Sequence, residues 1–347
     1  MPGLPNHNSR PARRKNASVN HVWGNSGAEW TLTLLRRDCF FGGILELNSL
    51  RYDLHAHSTM SDGLLSPTEL VKHAVRQRVN VLALTDHDTT EGVEEALLAA
   101  NALGVIVVPG VEVSVTWNRR TIHIVGLNID PHNGELQQGL AVLRRFRDWR
   151  AEEIGCRLEK AGIPGALQAA KRYAGGASIG RVHFARFLIE QDYAADMRAV
   201  FKSFLVKNKP GHVSGKWASL EQAVGWIRAA GGQAVIAHPA RYRLSATQLR
   251  RLIGEFIESG GEGFEVVSGT HSHNDCCTMA MHAQRSSLVA SCGSDYHGPG
   301  NPRIELGKVS PFPSGCTPIW ESPRWRLYDS ARGGYPLQSD LERWPRG

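Results

Sequence analysis

The sequence contains no run of eighteen or more apolar residues, and its first residues lack the apolar stretch and small-residue cleavage site of a secretory leader. Both absences argue against a membrane protein, and a cytoplasmic location is expected. Cysteine is sparse: Cys39, Cys156, Cys276, Cys277, Cys292 and Cys316 form no CxxC pair. That excludes a small disulfide framework and points to a reducing compartment. A strong basic field is missing as well. Lys plus Arg exceed Asp plus Glu by 40 − 33 = 7, yet residues 1–50 hold six basic against three acidic side chains and residues 319–347 five against four. The two ends therefore carry four of the seven charges, which excludes a coat for long nucleic acid and leaves room for a local phosphate pocket. No DNA-binding module is expected.

What is present is an ordinary globular composition, 41% hydrophobic and 21% charged over 347 residues, enough for one large α/β domain or two smaller ones. Residues 1–49, rich in Pro, Asn, Ser and Arg without a sustained period, are expected to be a disordered extension. From Leu50 onward strands and helices alternate. Strands are expected over 51–57, 80–85, 105–114, 120–128, 233–237, 262–267 and 287–292, and helices over 66–78, 90–103, 218–230, 245–259 and 272–286. Ser66, Pro67 and Glu69 supply an N-cap, a first-turn proline and a capping-box partner for the first helix. Short apolar strands between amphipathic helices imply a parallel sheet covered by helices, open or closed as a barrel. Residues 132–216 break the pattern and read as a mainly helical inserted lobe, so the core comprises 50–131 and 217–315, with a tail over 316–347.

The polar residues of interest fall where these strands end. In RYDLHAHSTMSDG, His55 and His57 stand two apart, which on a strand turns both imidazoles to one side, and Asp62 follows in a Ser-Asp-Gly turn. His87 and Asp88 follow VLALTD, Glu112 lies in VIVVPGVEV, His123 interrupts TIHIVG, His238 ends AVIAHP, and Asp295 and His297 follow LVASCGS. In parallel α/β folds strand C-termini converge on one face. Each residue alone has a plain reading as a hydrogen-bonded surface or core group. Together, six histidines and three carboxylates in one cleft would be costly to bury without metal. Nine ligands are too many for one ion, and a mixed nitrogen and oxygen set suits Zn, Mn or Fe better than an oxygen-only Mg site. Two or three ions sharing a carboxylate fit a hydrolase acting at phosphorus.

The segments RYDLHAHSTMSDG, ALTDHDT, PGVEVS, IHIVGLN, AVIAHPARY and GSDYHGPG resemble, in order, the motifs of the PHP (polymerase and histidinol phosphatase) family over about residues 51–315. Within it, IGRVHFARFL, KPGHVSGKWASLEQAVGWIRAAGG and GFEVVSGTHS resemble the branch of 3',5'-nucleoside bisphosphate phosphatases that are also 5'-to-3' exoribonucleases on 5'-phosphorylated RNA. The resemblance implies a distorted (β/α)7 barrel with a helical insertion. It assigns His55, His57, Glu112 and Asp295 to one metal, Glu112 as a bridge with His123 and His238 to a second, and Asp62, His87 and His297 to a third. Manganese is the expected metal, with zinc, iron or magnesium as the other divalent options. Asp62, His87, Glu112, His238 and Asp295 are the expected catalytic positions.

The same branch implies that Arg181 and His183 contact substrate phosphate, although from chemistry alone Arg181 also reads as a helix-cap or surface arginine. Lys209 and Arg241 are further candidates whose plain reading is a solvated charge or structural partner. Val182 and His212 stand where this branch is expected to carry proline and tyrosine. The expected activity is removal of the 3'-phosphate from a nucleoside 3',5'-bisphosphate, extending to short 5'-phosphorylated RNA. The alternatives are a phosphatase for another small monoester such as histidinol phosphate, and a non-catalytic nucleotide-binding module.

Overall fold

A computed structural model describes residues 50–326; the expected N-terminal extension and residues 327–347 lie outside the described residues. Seven strands form one sheet in chain order: β1 (Tyr52–Ala56), β2 (Val81–Leu84), β3 (Ile106–Trp117), β4 (Arg120–Leu127), β5 (Gln233–Ile236), β6 (Gly263–Ser268) and β7 (Val289–Gly293). The sheet curls until its edges meet. Ala56 bridges Tyr296 in parallel, His57 N–H donates to the Tyr296 carbonyl at 2.9 Å, and Asp295 N–H donates to the His55 carbonyl at 2.9 Å. Gly293 permits this closure, because a Cβ there would lie 2.3 Å from Cβ of His55. The result is a nearly closed seven-stranded barrel, and the edge strands that would otherwise be open are paired.

The sheet is not wholly parallel, as the strand pattern alone implied. β4 runs antiparallel to both β3 and β5, while the remaining neighbours are parallel. The reason is local: Asn118 and Arg119, both at positive φ (45° and 59°), make a two-residue turn that can only return the chain beside itself. β3 is also longer than expected. It pairs with β2 as far as Pro109, then continues as one arm of the hairpin from Gly110 to Trp117.

Helices α1 (Pro67–Arg76), α2 (Val93–Leu103), α7 (Leu220–Ala229), α8 (Ala246–Glu258) and α9 (His273–Arg285) accompany the strands. The α1 start is built as its sequence predicts: Glu69 N–H donates to Ser66 Oγ (3.2 Å) and Ser66 N–H to Glu69 Oε2 (2.9 Å), a reciprocal cap worth about 1 kcal/mol. Between β4 and β5 lie α3 (Gly134–Lys160), α4 (Ala166–Ala174), α5 (Arg181–Glu190) and α6 (Met197–Val200), the last continued by a π-turn over Phe201–Leu205.

The 27-residue α3 joins two hydrophobic clusters. Leu136, Leu140 and Leu143 pack with the barrel core, whereas Ala151, Ile154 and Leu158 pack with Phe184, Leu188, Val200 and Leu205 of the inserted helices. The start of the expected tail belongs to the barrel. Thr317 accepts from Ala290 N–H (2.8 Å), Ile319 is fully buried, and Trp320 stacks on Tyr52 with centroids 4.0 Å apart. Such a stacked pair adds about 1 kcal/mol beyond its buried area. No period is visible there in the sequence because an irregular segment can cover a strand with single apolar anchors. No helix among the described residues is long and apolar enough to cross a membrane.

Candidate metal centre

One end of the barrel carries the nine expected ligands. His55 is the penultimate residue of β1 and His57 the first beyond it, with their Nε2 atoms 3.3 Å from Glu112 Oε2. Glu112 lies in the middle of β3, fully buried, and faces five imidazoles. Its Oε2 is also 2.9 Å from His87 Nδ1, and its Oε1 is 2.9 Å from both His123 Nδ1 and His238 Nε2. Asp295 Oδ1 lies 3.5 Å from His55 Nε2 and 3.3 Å from His57 Nε2, and Asp62 Oδ1 lies 3.3 Å from His297 Nε2. The strand-end rule places His55, His238 and Asp295 correctly. It fails for His123, which sits early in β4 and reaches the site because that strand runs backwards.

Loop geometry holds the remaining groups. Asp86 clamps the turn that carries Asp62: it accepts from Ser58 N–H (2.8 Å), Ser58 Oγ (2.6 Å) and Ser61 Oγ (2.5 Å). Asp88, His238 and Asp295 all have positive φ (55°, 28° and 56°), a conformation that costs about 1–2 kcal/mol and that the surrounding contacts must hold. Glu265 of β6 ties the first and fifth strands together, accepting from His238 N–H and pairing with His55 Nδ1 at 3.0 Å.

The electrostatics are those of mutually compensating buried ions. Burial alone would raise the Asp62, Glu112 and Asp295 carboxyls, but the surrounding imidazoles, and Arg241 for Asp295, hold all three well below the ordinary range. Burial pushes His87 down to about 4 despite the pull of Glu112 and Asp62. His55 Nε2, both nitrogens of His57, His87 Nδ1, His123 Nδ1, His238 Nδ1, Asp62 Oδ1 and Glu112 Oε2 are buried without a hydrogen-bond partner. Each such orphan costs roughly 1–3 kcal/mol. Lone pairs converging from nitrogen and carboxylate oxygen with no proton aligned between them fit divalent cations. By proximity the ligand atoms group as His57, Asp62, His87 and His297; His55, Glu112, His238 and Asp295; and His87, Glu112 and His123. All nine residues are brought together, although relative to the sets expected from resemblance this grouping moves His57 to the Asp62 set and His238 to the His55 set, and adds His87 to the His123 set.

An open cleft at this mouth is lined by six of the nine candidate ligands together with Arg147, Arg150, Arg181, Arg241, Phe201 and Trp217. Arg147, buried, donates to Asp88 Oδ2 (2.7 Å) and Ser114 Oγ (2.9 Å) and lies over the Trp217 ring. Arg241 donates to Asp295 Oδ2 with half of its side chain exposed, so it is a structural partner that also lines the cleft. Arg181, the first residue of α5, lies over Phe201 with its guanidinium 5.3 Å from the ring centre.

Two substrate-contact expectations fare differently. His183 does not line the cleft: its ring is buried, Nδ1 accepts from Gly180 N–H (3.0 Å), and burial lowers its pKa to about 4, so it caps α5 as a neutral group. A side chain at the third helical position folds back onto the helix start, and here Nδ1 serves as that cap. Lys209 is exposed and outside the cleft. Val182 does line it, while His212 contributes its carbonyl to Arg157 at 2.5 Å.

Sequence reasoning passed over Asp86, Glu265, Arg147, Arg150, Phe201 and Trp217. A signal existed for three of them. Glu265 is a carboxylate inside the apolar strand GFEVVS, and Arg147 and Arg150 in RRFRDWR are three apart, on one helix face.

Comparison with known proteins agrees with this geometry. The PHP domain family matches residues 53–137. A 3',5'-nucleoside bisphosphate phosphatase from Chromobacterium violaceum is 49% identical over 276 residues, covering 79% of this chain and 97% of that protein. The 5'-3' exoribonuclease Rnm of Escherichia coli is 46% identical over 272 residues, covering 78% and 92%. Among solved structures, a protein described as an amidohydrolase from Chromobacterium violaceum, with bound sulfate and no metal, superposes with a TM-score of 0.75 at 49% identity, covering 78% of this chain and 94% of that one. A metal-dependent phosphoesterase from Bifidobacterium adolescentis gives 0.68 at 27% identity, covering 75% and 92%. With a ligand-dense barrel mouth and relatives that match nearly end to end, the chain belongs to the PHP family of phosphoric ester hydrolases.

Proposed function

We propose that the protein removes the 3'-phosphate from nucleoside 3',5'-bisphosphates and, at the same site, releases mononucleotides stepwise from the 5' end of short 5'-phosphorylated RNA. The observation that carries this reading is one cleft lined both by six of the nine candidate ligands and by the guanidiniums of Arg147, Arg150, Arg181 and Arg241. Two phosphates on one ribose match those two sets of groups. The relatives named for each activity support the pairing.

In this reading the barrel segments 50–131 and 217–315 hold the metals, and the inserted segment 132–216 supplies Arg147 and Arg181. The ligand sets follow the assignment implied by resemblance: His55, His57, Glu112 and Asp295; Glu112, His123 and His238; Asp62, His87 and His297. The ions, manganese in a cytoplasmic setting, supply Lewis acidity at phosphorus and a water of lowered pKa. The protein's own share is positioning. Arg181 orients the phosphate that is not cleaved, through paired N–H donors suited to phosphate oxygens. Arg241 keeps Asp295 ionised and offers its free donors to the cleft. Trp217 and Phe201, with guanidiniums over their rings, add apolar surface to the cleft that excludes water.

The experiment is phosphate and nucleotide release by Mn-loaded protein from adenosine 3',5'-bisphosphate, beside a 5'-phosphorylated RNA trimer and its 5'-hydroxyl twin. Phosphate plus AMP, and mononucleotides from the 5'-phosphorylated trimer alone, are expected. No turnover of any of the three with metals shown to be bound would overturn the reading.

A further inference from the structure

The positive charge of this chain is not spread evenly. The inserted segment 132–216 holds fifteen basic against eight acidic side chains, whereas the barrel segments 51–131 and 217–318 hold fourteen against eighteen. A polyanion that reaches the cleft is therefore drawn toward the lobe and away from the barrel. Inside the cleft Arg147 is compensated by Asp88, while the charges acting on Arg150 are Arg181 and Arg147, both of its own sign. The field continues outward through residues 202–216. This strap leaves the cleft wall at Phe201 and rejoins it at Trp217, and no acidic residue lies between Met197 and Trp217. Lys202, Lys207, Lys209 and Lys216 are exposed, and none of them is in an ion pair among the described residues, whereas Lys171 pairs with Glu152 at 3.5 Å. Arg157 Nη1 donates to the His212 carbonyl (2.5 Å) and Arg150 Nε to the Val213 carbonyl (3.5 Å), which lays the strap along α3. Burial, and then the like charges of Arg150, Arg181, Arg157 and Lys207, lower the His212 pKa, so cleft and strap share one field. An exposed indole adjoins them. Trp149 of α3, 53% exposed, is 5.4 Å from the Phe146 ring, and Phe146 meets Trp217 edge-on at 4.6 Å. Trp149 thus stands two ring contacts out from the cleft wall.

We propose that the strap 202–216 and Trp149 form the docking surface for the RNA chain that extends beyond the nucleotide held in the cleft, with phosphates on the lysines and a base on the indole. This rests on the function proposed above and adds to it a surface outside the cleft that takes no part in cutting a bisphosphate. An RNA held by its 5' end must carry its remaining nucleotides out over the rim, and the lobe is the side of the rim with a positive excess. Lysines without a carboxylate partner gain by neutralising phosphates and releasing their counterions, with no existing ion pair to break. An exposed indole offers a stacking face that accepts any base, because every base has a π face. The combination of free cations with a free indole favours single-stranded RNA over an acidic protein surface, which would use the lysines alone.

The test compares adenosine 3',5'-bisphosphate with a 5'-phosphorylated RNA dimer and decamer on the wild type, Trp149→Ala and the triple variant Lys202→Gln/Lys207→Gln/Lys216→Gln, with metal content and thermal unfolding measured on each. In the wild type the decamer is expected to have a KM about tenfold or more below that of the dimer. Trp149→Ala should raise the decamer KM by about fivefold or more. In the triple variant the salt dependence of decamer binding, read by anisotropy of a 3'-labelled chain, should flatten, its log–log slope shrinking by about 2. Bisphosphate turnover, metal content and melting are expected to stay unchanged in both variants. A decamer no better than the dimer, or variants that lower turnover of bisphosphate and decamer alike, would overturn the inference while leaving the phosphatase reading standing. Polyglutamate that displaces the labelled decamer as effectively as unlabelled RNA of equal charge would overturn it too, since the surface would then take any polyanion. No turnover of any of the three substrates with metals bound would remove the function reading, and this inference with it.

Discussion

Glu112 is the residue on which the centre converges, since one buried carboxylate faces His55, His57, His87, His123 and His238. Replacing it with glutamine removes a charge and an acceptor while keeping shape. We expect Glu112→Gln to bind fewer metal ions per chain, counted by elemental analysis, and to lose about 100-fold or more in turnover. Glu265 acts one step further out, through His55 Nδ1 and the His238 backbone. Glu265→Gln should weaken metal affinity by about 10- to 100-fold, read by competition with a chelator, while the fold persists. The difference between these two residues marks how far the sequence could be read. Glu112 is conspicuous because its neighbours in PGVEVS match a known motif, whereas nothing in GFEVVS says which way Glu265 points or that an imidazole waits there.

At the scale of elements, the β3–β4 hairpin decides how the site is assembled. Alternation of strands and helices implied a helix-covered sheet, open or closed, and the resemblance implied its closure as a barrel; the absence of a helix between β3 and β4 was visible, but the consequence for His123 followed only from the reversed direction of β4. Helix α3 is the second deciding element, because it carries Arg147 and Arg150 to the cleft while its two halves are anchored in different hydrophobic clusters. Its approach to α7 depends on Gly139, where a Cβ would lie 2.4 Å from the Trp226 ring. Gly139→Ala is expected to destabilise the protein by about 1–3 kcal/mol in denaturant unfolding, because Trp226 or the helix must shift. An unchanged midpoint would show that the contact is relaxed without cost.

For the whole molecule, the candidate ligands come from β1, the turn after it, the loop after β2, β3, β4, the end of β5 and the segment after β7, so metals held by them would bind across the ring that closes the barrel. Binding should therefore stabilise the entire fold. Metal-free protein titrated with manganese is expected to melt at a higher temperature, the gain approaching about 2.7 kcal/mol at a metal concentration 100 times Kd. A melting temperature indifferent to metal would show that the ligands are already held by the protein alone.

The sequence by itself determined the strand and helix order, the capped start of α1, the nine residues that cluster as candidate ligands and the family, because these rest on local periodicity and on motifs contiguous in the chain. The tertiary structure alone decided the partners of those residues: the antiparallel β4, the packed segment around Ile319, the capping role of His183, and the contrast between compensated Arg147 and uncompensated Arg150. A side chain's charge and period are properties of the chain near it. Whether that charge is neutralised depends on residues far along the sequence, such as Asp88 for Arg147, which lie together only after the barrel has closed and α3 has been laid across its mouth.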